Sequence, residues 1–347
     1  MRFYTKQHKF YCGIDLHARK MYLCILDNTG EVRLHRNINT DREGFLKAIR
    51  PFREDIVVAV ECMFTWYWIA DLCVQEKIPF VLGHALYMKA IHGGKAKNDK
   101  IDSRKIAVLL KGGMMPQAYA YPARMRATRD LLRRRNHLMR KRAELYAHIQ
   151  NTRSQYNLSD PLGRIAKPEN REGVAERFDD PSVRNMIAAD FAVIAAYDPI
   201  LAKMERDIIQ SAKHHDPVSH ALLNTIPGVG RILSLVILYE IENIKRFPTV
   251  QDFASYCRLV KCAKESNGKK YGSGGKKIGN AHLKWAFSEA AVLFLKGNEP
   301  AKKYLHRLTN KHGKAKALSI LAHKLGRAVY FMLKRKEAFH QNKFLGI

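Results

Sequence analysis

The sequence predicts an α/β unit followed by a mostly α-helical remainder, and three observations carry that reading. The first 82 residues hold five short apolar runs separated by turn residues and helical stretches. From residue 124 onward, apolar positions recur at helical period among Arg, Leu, Met and Ala. Basic residues crowd into that second part, while the first hundred residues are nearly balanced in charge.

The elements follow in order. Residues 10–15 (FYCGID) are an apolar run ending in an acid, and 21–27 (MYLCILD) are a second, closed by the turn Asn28-Thr29-Gly30. Residues 32–38 (VRLHRNI) alternate apolar and polar, as a half-exposed strand does. A helix is expected over 41–50, with Thr40 or Asp41 as cap and Pro51 as stop. Residues 56–60 (IVVAV) are apolar throughout, the pattern of a central strand buried on both faces. A helix over 65–76, a strand over 78–82 and helices near 84–92 and 99–111 complete a mixed sheet with flanking helices.

Residues 124–153 then read as one helix. Residues 157–181 contain Pro161, Gly163, Pro168, Gly173 and Pro181 and read as a loop or an insertion. Helical period returns over 183–213, with a break expected near Asp198-Pro199. This middle part is expected to be a helical hairpin or coiled coil with a loop at its tip. A last unit starts near His214. In it, the turn Ile226-Pro-Gly-Val-Gly230 precedes an apolar helix at 232–241, a loop covers 264–280, and helices lie near 281–295, 299–309 and 314–337. The expected domains are therefore 1–123, 124–213 and 214–347.

The chain has 347 residues, and its 61 Lys+Arg against 32 Asp+Glu leave a formal charge of +29. With 46% apolar residues it can bury real cores, which excludes wholesale disorder. The N-terminus lacks an apolar signal core, and no uninterrupted run approaches the roughly 20 apolar residues of a membrane span. Six irregularly spaced cysteines do not make a disulfide framework and fit a reducing cytoplasm. The charge points to a polyanion, most simply nucleic acid. Residues 124–153 hold ten Lys/Arg and only two acids, so Arg126, Arg133, Arg134, Arg135, Arg140, Lys141 and Arg142 are candidates for a phosphate track rather than an ordinary solvated face.

Four acids are candidates for chemistry. Asp15 ends the first strand and Glu61 directly follows the most buried one. Asp99 and Asp102 are three apart where a helix should begin, so they share a face. Charges at the ends of core strands need a partner, because an unpaired buried charge is costly. A divalent cation is such a partner, and hard oxygen ligands suit Mg²⁺ bound alongside a substrate phosphate. Ordinary salt bridges and helix caps are the competing explanation, and Asp27 illustrates an acid in a plain turn.

Two further segments stand out. Gly228 and Gly230 allow a tight turn whose backbone N–H groups could bind a phosphate at a helix start, as in a helix-hairpin-helix motif, although a plain helix-entry turn has the same glycines. The loop over 264–280 places Ser266 and Ser273 among glycines and the basic residues Lys264, Lys269, Lys270, Lys276 and Lys277. It is not a P-loop, because GxxxxGK[ST] is absent. It is either a phosphate-gripping loop or the site of a serine nucleophile activated by neighbouring charge.

Taken together, these motifs resemble the IS110 family of insertion-sequence transposases. The resemblance rests on Gly13-Ile-Asp15, Val60-Glu61 and Asn98-Asp99-Lys-Ile-Asp102-Ser-Arg-Lys-Ile-Ala, then Ile226-Pro-Gly-Val-Gly230, Phe253-Ala-Ser-Tyr256, Glu265-Ser266 and Gly279-Asn-Ala-His-Leu283, in family order from about residue 10 to 335. It implies an N-terminal RuvC-like domain of RNase H fold, a coiled-coil middle and a C-terminal domain with a nucleophilic serine. It implies that Asp15, Glu61, Asp99 and Asp102 are the DEDD acids that hold Mg²⁺. Ser266 matches the serine, with Ser273 as the second candidate. It also implies a recombinase that links DNA covalently to that serine, is guided by a structured bridge RNA, and assembles as dimers and tetramers on donor and target DNA. Two rival functions stay open on the residues alone: a metal-dependent nuclease or junction resolvase using water as nucleophile, and a non-enzymatic nucleic-acid-binding protein.

Overall fold

The computed structural model describes residues 2–92, 98–159, 163–274 and 278–347. They divide into two compact units, 1–123 and 124–347.

The first unit contains β1 (Phe3–Tyr4), β2 (Phe10–Leu16), β3 (Lys20–Asp27), β4 (Val32–Asn39), α1 (Arg42–Ile49), β5 (Ile56–Glu61), α2 (Tyr67–Gln75), β6 (Phe80–Gly83), α3 (Ala85–His92), α4 (Asp99–Lys111) and β7 (Met115–Pro116). Five strands form one sheet in the order β4-β3-β2-β5-β6. β2, β3 and β4 pair antiparallel, whereas β2–β5 and β5–β6 are parallel. The expected mixed sheet is therefore present, with strand ends within a few residues of those read from the sequence. Alternation decides which face each side chain serves. Cys12, Ile14, Val58 and Val60 join Phe45, Ile49, Ile69 and Leu72 of α1 and α2 in one core. Tyr11, Val57 and Ala59 join Ile106, Leu109 and Leu110 of α4 in another. Both faces of β5 are covered, in keeping with its apolar sequence from Ile56 to Val60.

The second unit opens with α5 (Ala123–Gln155) and α6 (Pro181–His215). Arg135 pairs with Glu205, Arg142 with Asp198 and His148 with Asp190, so the partner number falls as the first rises and the two helices run antiparallel. Buried Ile187, Ile194, Leu201 and Ile208 recur every seven residues along α6, the spacing that keeps one seam facing a neighbouring helix. Two expectations are corrected here. α6 is not broken at Asp198-Pro199, for Pro199 lies inside a continuous helix anchored by the α5 pairs. Within 157–181, the described residues are not a bare loop. Ile165, Val174, Ala175 and Phe178 are buried against Ile149, Val183 and Ile187, capping the hairpin. α6 is also long and apolar enough to cross a membrane by length and composition alone. Asp190 and Asp198 interrupt its apolar stretch, and both of them engage side chains of α5.

Beyond the hairpin come α7 (Pro217–Asn224), α8 (Arg231–Ile241), α9 (Val250–Tyr256), β8 (Cys262–Ser266), β9 (Lys269–Gly274), α10 (Ala281–Leu293), α11 (Glu299–His312), α12 (Lys314–Arg335) and α13 (Gln341–Leu345). α8, α10 and α12 form its centre, and Met125, Leu132, Ile208 and Ala212 from the base of the hairpin share that core. The expected loop over 264–280 is corrected as well, because its first half is a β-hairpin. Asn267 and Gly268 both adopt positive φ (48° and 71°), as a two-residue hairpin turn requires. Asn-Gly is the strongest short signal for that turn, and it stands in the sequence.

Candidate active site

Asp15 and Glu61 sit at the carboxyl ends of neighbouring parallel strands. The β2–β5 register runs to Ile14 opposite Val60, so each acid is the next residue beyond the last pair. Such strand ends are where open α/β sheets place their sites. The remaining two acids arrive on α4. Asn98 caps that helix, its Oδ1 accepting from Ile101 N at 2.8 Å, which places Asp99 and Asp102 in the first turn.

Gly13 makes this approach feasible. A Cβ there would lie 2.3 Å from Ala107 N and 2.4 Å from Ser103 O, so the backbone of α4 lies directly on β2. Overpacking in a core typically costs about 1–3 kcal/mol, and here the obstacle is backbone that cannot rotate aside. Gly13→Ala is therefore expected to lower the denaturation midpoint of the first unit by at least about 2 kcal/mol in stability terms. It should also pull Asp99 and Asp102 away from Asp15. Unchanged stability and unchanged metal response would refute this close-approach role.

The acids that meet are Asp15 and Asp99, bridged by a residue the sequence reading missed. His17 Nε2 lies 3.4 Å from Asp15 Oδ2 and 3.6 Å from Asp99 Oδ1. One ligand atom from each of Asp15, His17 and Asp99 falls within 4.8 Å of the others, close enough to hold one cation. The missed signal was the i, i+2 spacing of Asp15 and His17 at a strand end. Asp102 lies 3.6 Å from Lys105 and still acts electrostatically on Asp15. Glu61, half-buried on the adjacent strand end, is not a member of the three-residue group.

Burial pushes the Asp15 carboxyl above its ordinary range, and Asp99 and Asp102 add to that, while His17 works against it. Asp27 shows the opposite situation. Hydrogen bonds from Thr29 above all, then Arg33 and the backbone N–H groups of Glu31 and Gly30, hold its carboxyl far below the usual range. Asp27 is thus a satisfied turn acid. Asp15 instead faces like charges, and carboxylate oxygens gathered around one point fit a divalent cation.

In the second unit, Ser266 is exposed at the tip of the β8–β9 hairpin, and its Cα partner across the turn is the exposed Lys269. Ser273 pairs in register with Ala263 nearer the hairpin base. The side chains of Ser273, Lys264 and Lys270, and all of Lys276 and Lys277, lie outside the described residues.

The basic residues of α5 divide into two groups. Arg134 and Arg140 are exposed, and Lys141 is exposed beside Glu144 at 2.8 Å. Arg126 is buried. Arg133 donates to both oxygens of Glu240, Nε–Oε1 at 2.6 Å and Nη2–Oε2 at 2.8 Å, and Arg129 joins them at 3.2 Å. Arg135 and Arg142 hold α6, as described above. The carboxylate in each such pair offsets the charge that the guanidinium could offer to a phosphate.

The two turn glycines also differ. Gly228 has φ +80°, and a Cβ on it would sit 2.4 Å from the Leu293 backbone, so it packs against α10. Gly230 precedes α8 with nothing within 4 Å of an added Cβ. The Gly279-Asn280 segment is structural too. Asn280 Oδ1 accepts from His282 N and Leu283 N, capping α10, while its Nδ2 donates to Glu240 Oε2 at 2.7 Å.

Comparison with known proteins adds the following. Residues 12–157 match a family model for the DEDD transposase domain of IS110-type elements. Residues 220–306 match the model described as Transposase IS116/IS110/IS902 family. The chain is 22% identical over 336 residues to the transposase for insertion sequence element IS1111A of Coxiella burnetii, covering 94% of this chain and 90% of that protein.

Proposed function

The chain belongs to the IS110 family of transposases, and from that premise we propose that it cuts and rejoins DNA strands through a covalent phosphoserine link. The observation that carries the reading is the gathering of Asp15, His17 and Asp99, with Asp102 in electrostatic range, at the carboxyl end of β2. In this reading the first unit is a RuvC-like domain of RNase H fold. Its strand order, three antiparallel and two parallel strands with acids at the parallel ends, supports that.

Asp15, Glu61, Asp99 and Asp102 hold Mg²⁺ in the proposed site, with His17 beside them. Bound there, the ion supplies Lewis-acid polarisation of a phosphoryl oxygen. Ser266 Oγ attacks phosphorus, the bond to the 3′-oxygen breaks, the serine proton passes to a base and the departing oxygen takes up a proton. Because the new ester keeps the phosphodiester energy, reversal of the step reseals a strand without ATP. Exposure of Ser266 at a hairpin tip, with Lys269 across the turn, suits a nucleophile that must reach a duplex. Arg134, Arg140 and Lys141, together with the N–H groups near Gly230, are proposed to hold nucleic-acid backbone, while the paired arginines of α5 keep that helix in place. A structured bridge RNA as guide, and dimers or tetramers on donor and target DNA, belong to the same proposal.

The test is an adduct assay. Protein, candidate bridge RNA, element-end DNA and Mg²⁺ are mixed, denatured and examined for DNA attached to protein. Wild type should form the adduct, and Ser266→Ala should abolish it with its melting temperature unchanged, because the side chain is exposed. Loss with Ser273→Ala alone would move the nucleophile to Ser273. Cleavage with no adduct would replace the proposal by a water-using nuclease.

A further inference from the structure

The segment that follows Glu61 treats its side chains unequally. Trp66 is 6% exposed and lies in the core under the sheet. Two residues earlier, Phe64 is 84% exposed, the largest value among the exposed large hydrophobics of the described residues, and Met63 beside it is 50% exposed. A solvated phenyl ring is ordinary on a loose loop, but this segment is tied down on both sides. Cys62 N donates to Gly83 O at 2.9 Å, Met63 N to Glu61 O at 2.8 Å, and Thr65 Oγ1 to Leu16 O at 3.1 Å. Those partners are the ends of β6, β5 and β2. The backbone that carries the ring is therefore tied to the same strand ends that carry Asp15 and Glu61, and one of its anchors is Leu16, the residue next to Asp15.

We propose that Phe64 stacks on an unpaired nucleobase of the DNA strand whose phosphate enters the acid site, and so positions that strand for cleavage. The inference rests on the reading of the acids as a strand-cleaving site. The occupant follows from the chemistry around the ring. A chain of charge +29 draws in nucleic acid. Once a backbone phosphate is held at the strand ends, the flat apolar surface that meets the adjoining loop is a flanking base. Every base offers a π-face, so one aromatic ring can serve a protein whose target sequence is read elsewhere. Phe64 is a positioning residue in this scheme, because it touches the substrate away from the reacting bond.

The experiment uses the full-length protein and the candidate bridge RNA with element-end DNA carrying 2-aminopurine at single positions near the cleavage point. Binding is read by fluorescence in EDTA and cleavage is read separately in Mg²⁺. Wild type and Phe64→Trp should quench one position. Phe64→Ala should restore its emission and slow cleavage by about tenfold to a hundredfold, the range that loss of one stacked base implies, at unchanged melting temperature. Asp15→Asn should stop cleavage and keep the quenching. Quenching and cleavage by Phe64→Ala equal to wild type would overturn the proposal. So would a change in oligomeric mass with Phe64→Ala, which would make the ring a contact between copies. If wild type fails to cut while quenching still depends on Phe64, the cleavage reading falls and the stacking stands.

Discussion

Asp15→Asn is expected to abolish DNA strand cleavage while leaving the protein folded. The carboxylate sits between Asp99, Asp102 and His17 at the end of β2, so it is the acid most central to any bound cation. Metal stabilisation of a phosphoryl-transfer transition state is worth several kcal/mol, so the loss should be on the order of a thousandfold or more. Folding should not suffer. Burial and neighbouring acids already disfavour the charged form of Asp15, and a neutral amide relieves that repulsion. The melting temperature in EDTA should therefore equal or exceed that of wild type. Added Mg²⁺ should raise the melting temperature of wild type and not of the variant, through ligand linkage. Full cleavage by Asp15→Asn, or equal Mg²⁺ stabilisation of both proteins, would remove the metal role.

Glu240→Gln is expected to be the most destabilising of the substitutions in the second unit. Glu240 is almost wholly buried in α8 and accepts from Arg129, Arg133 and Asn280. Removing one partner of a buried pair leaves charge uncompensated and costs about 3–5 kcal/mol. Here two guanidinium groups on α5 would lose their anion, and the cap of α10 would lose its support. Urea unfolding should show the loss directly, and a change below about 1 kcal/mol would contradict the buried-pair argument.

The same carboxyl gives a pH signature. Burial alone would raise its pKa, but Arg133, Arg129 and Asn280 outweigh that and hold it at about 2, below the ordinary 4.5. The folded-state value is depressed, so the stabilisation is complete above the ordinary value and is lost as pH falls from there toward about 2. Wild type should lose stability across that acid window, and Glu240→Gln should show a shallower acid dependence there. Equal slopes would mean that other carboxyls dominate acid unfolding.

Much of the architecture was legible because local chemistry specifies it. The five strands of the first unit announce themselves through apolar runs and turn residues, and α1 begins where Asp41 caps it, its side chain accepting from Gly44 N. The strand-end position of Asp15 and Glu61 and the first-turn position of Asp99 and Asp102 were legible too, since apolar runs and a helix start mark them. Other features depended on long-range contacts. The break expected at Pro199 did not occur because α6 is held against α5 by pairs formed across more than fifty residues of sequence. The basic run on α5 looked like one continuous phosphate track, yet Arg133, Arg135 and Arg142 within it are paired with acids of α6 and α8 that no local window contains. The β8–β9 hairpin was a misreading of a local signal, as Asn267-Gly268 was available and was absorbed into a glycine-rich loop.

The sequence by itself determined the five strands of the first unit, most of the helices and the polyanion-seeking charge, because periodicity, capping and composition are properties of neighbouring residues. Only the tertiary structure decided which charges are spent and which face solvent. It brought His17 between Asp15 and Asp99, committed Arg129 and Arg133 to Glu240, and left Phe64 exposed on a segment tied to the strand ends. The physical reason is that a charge or a ring acquires its role from what surrounds it in space, and those surroundings are assembled from segments far apart in the chain.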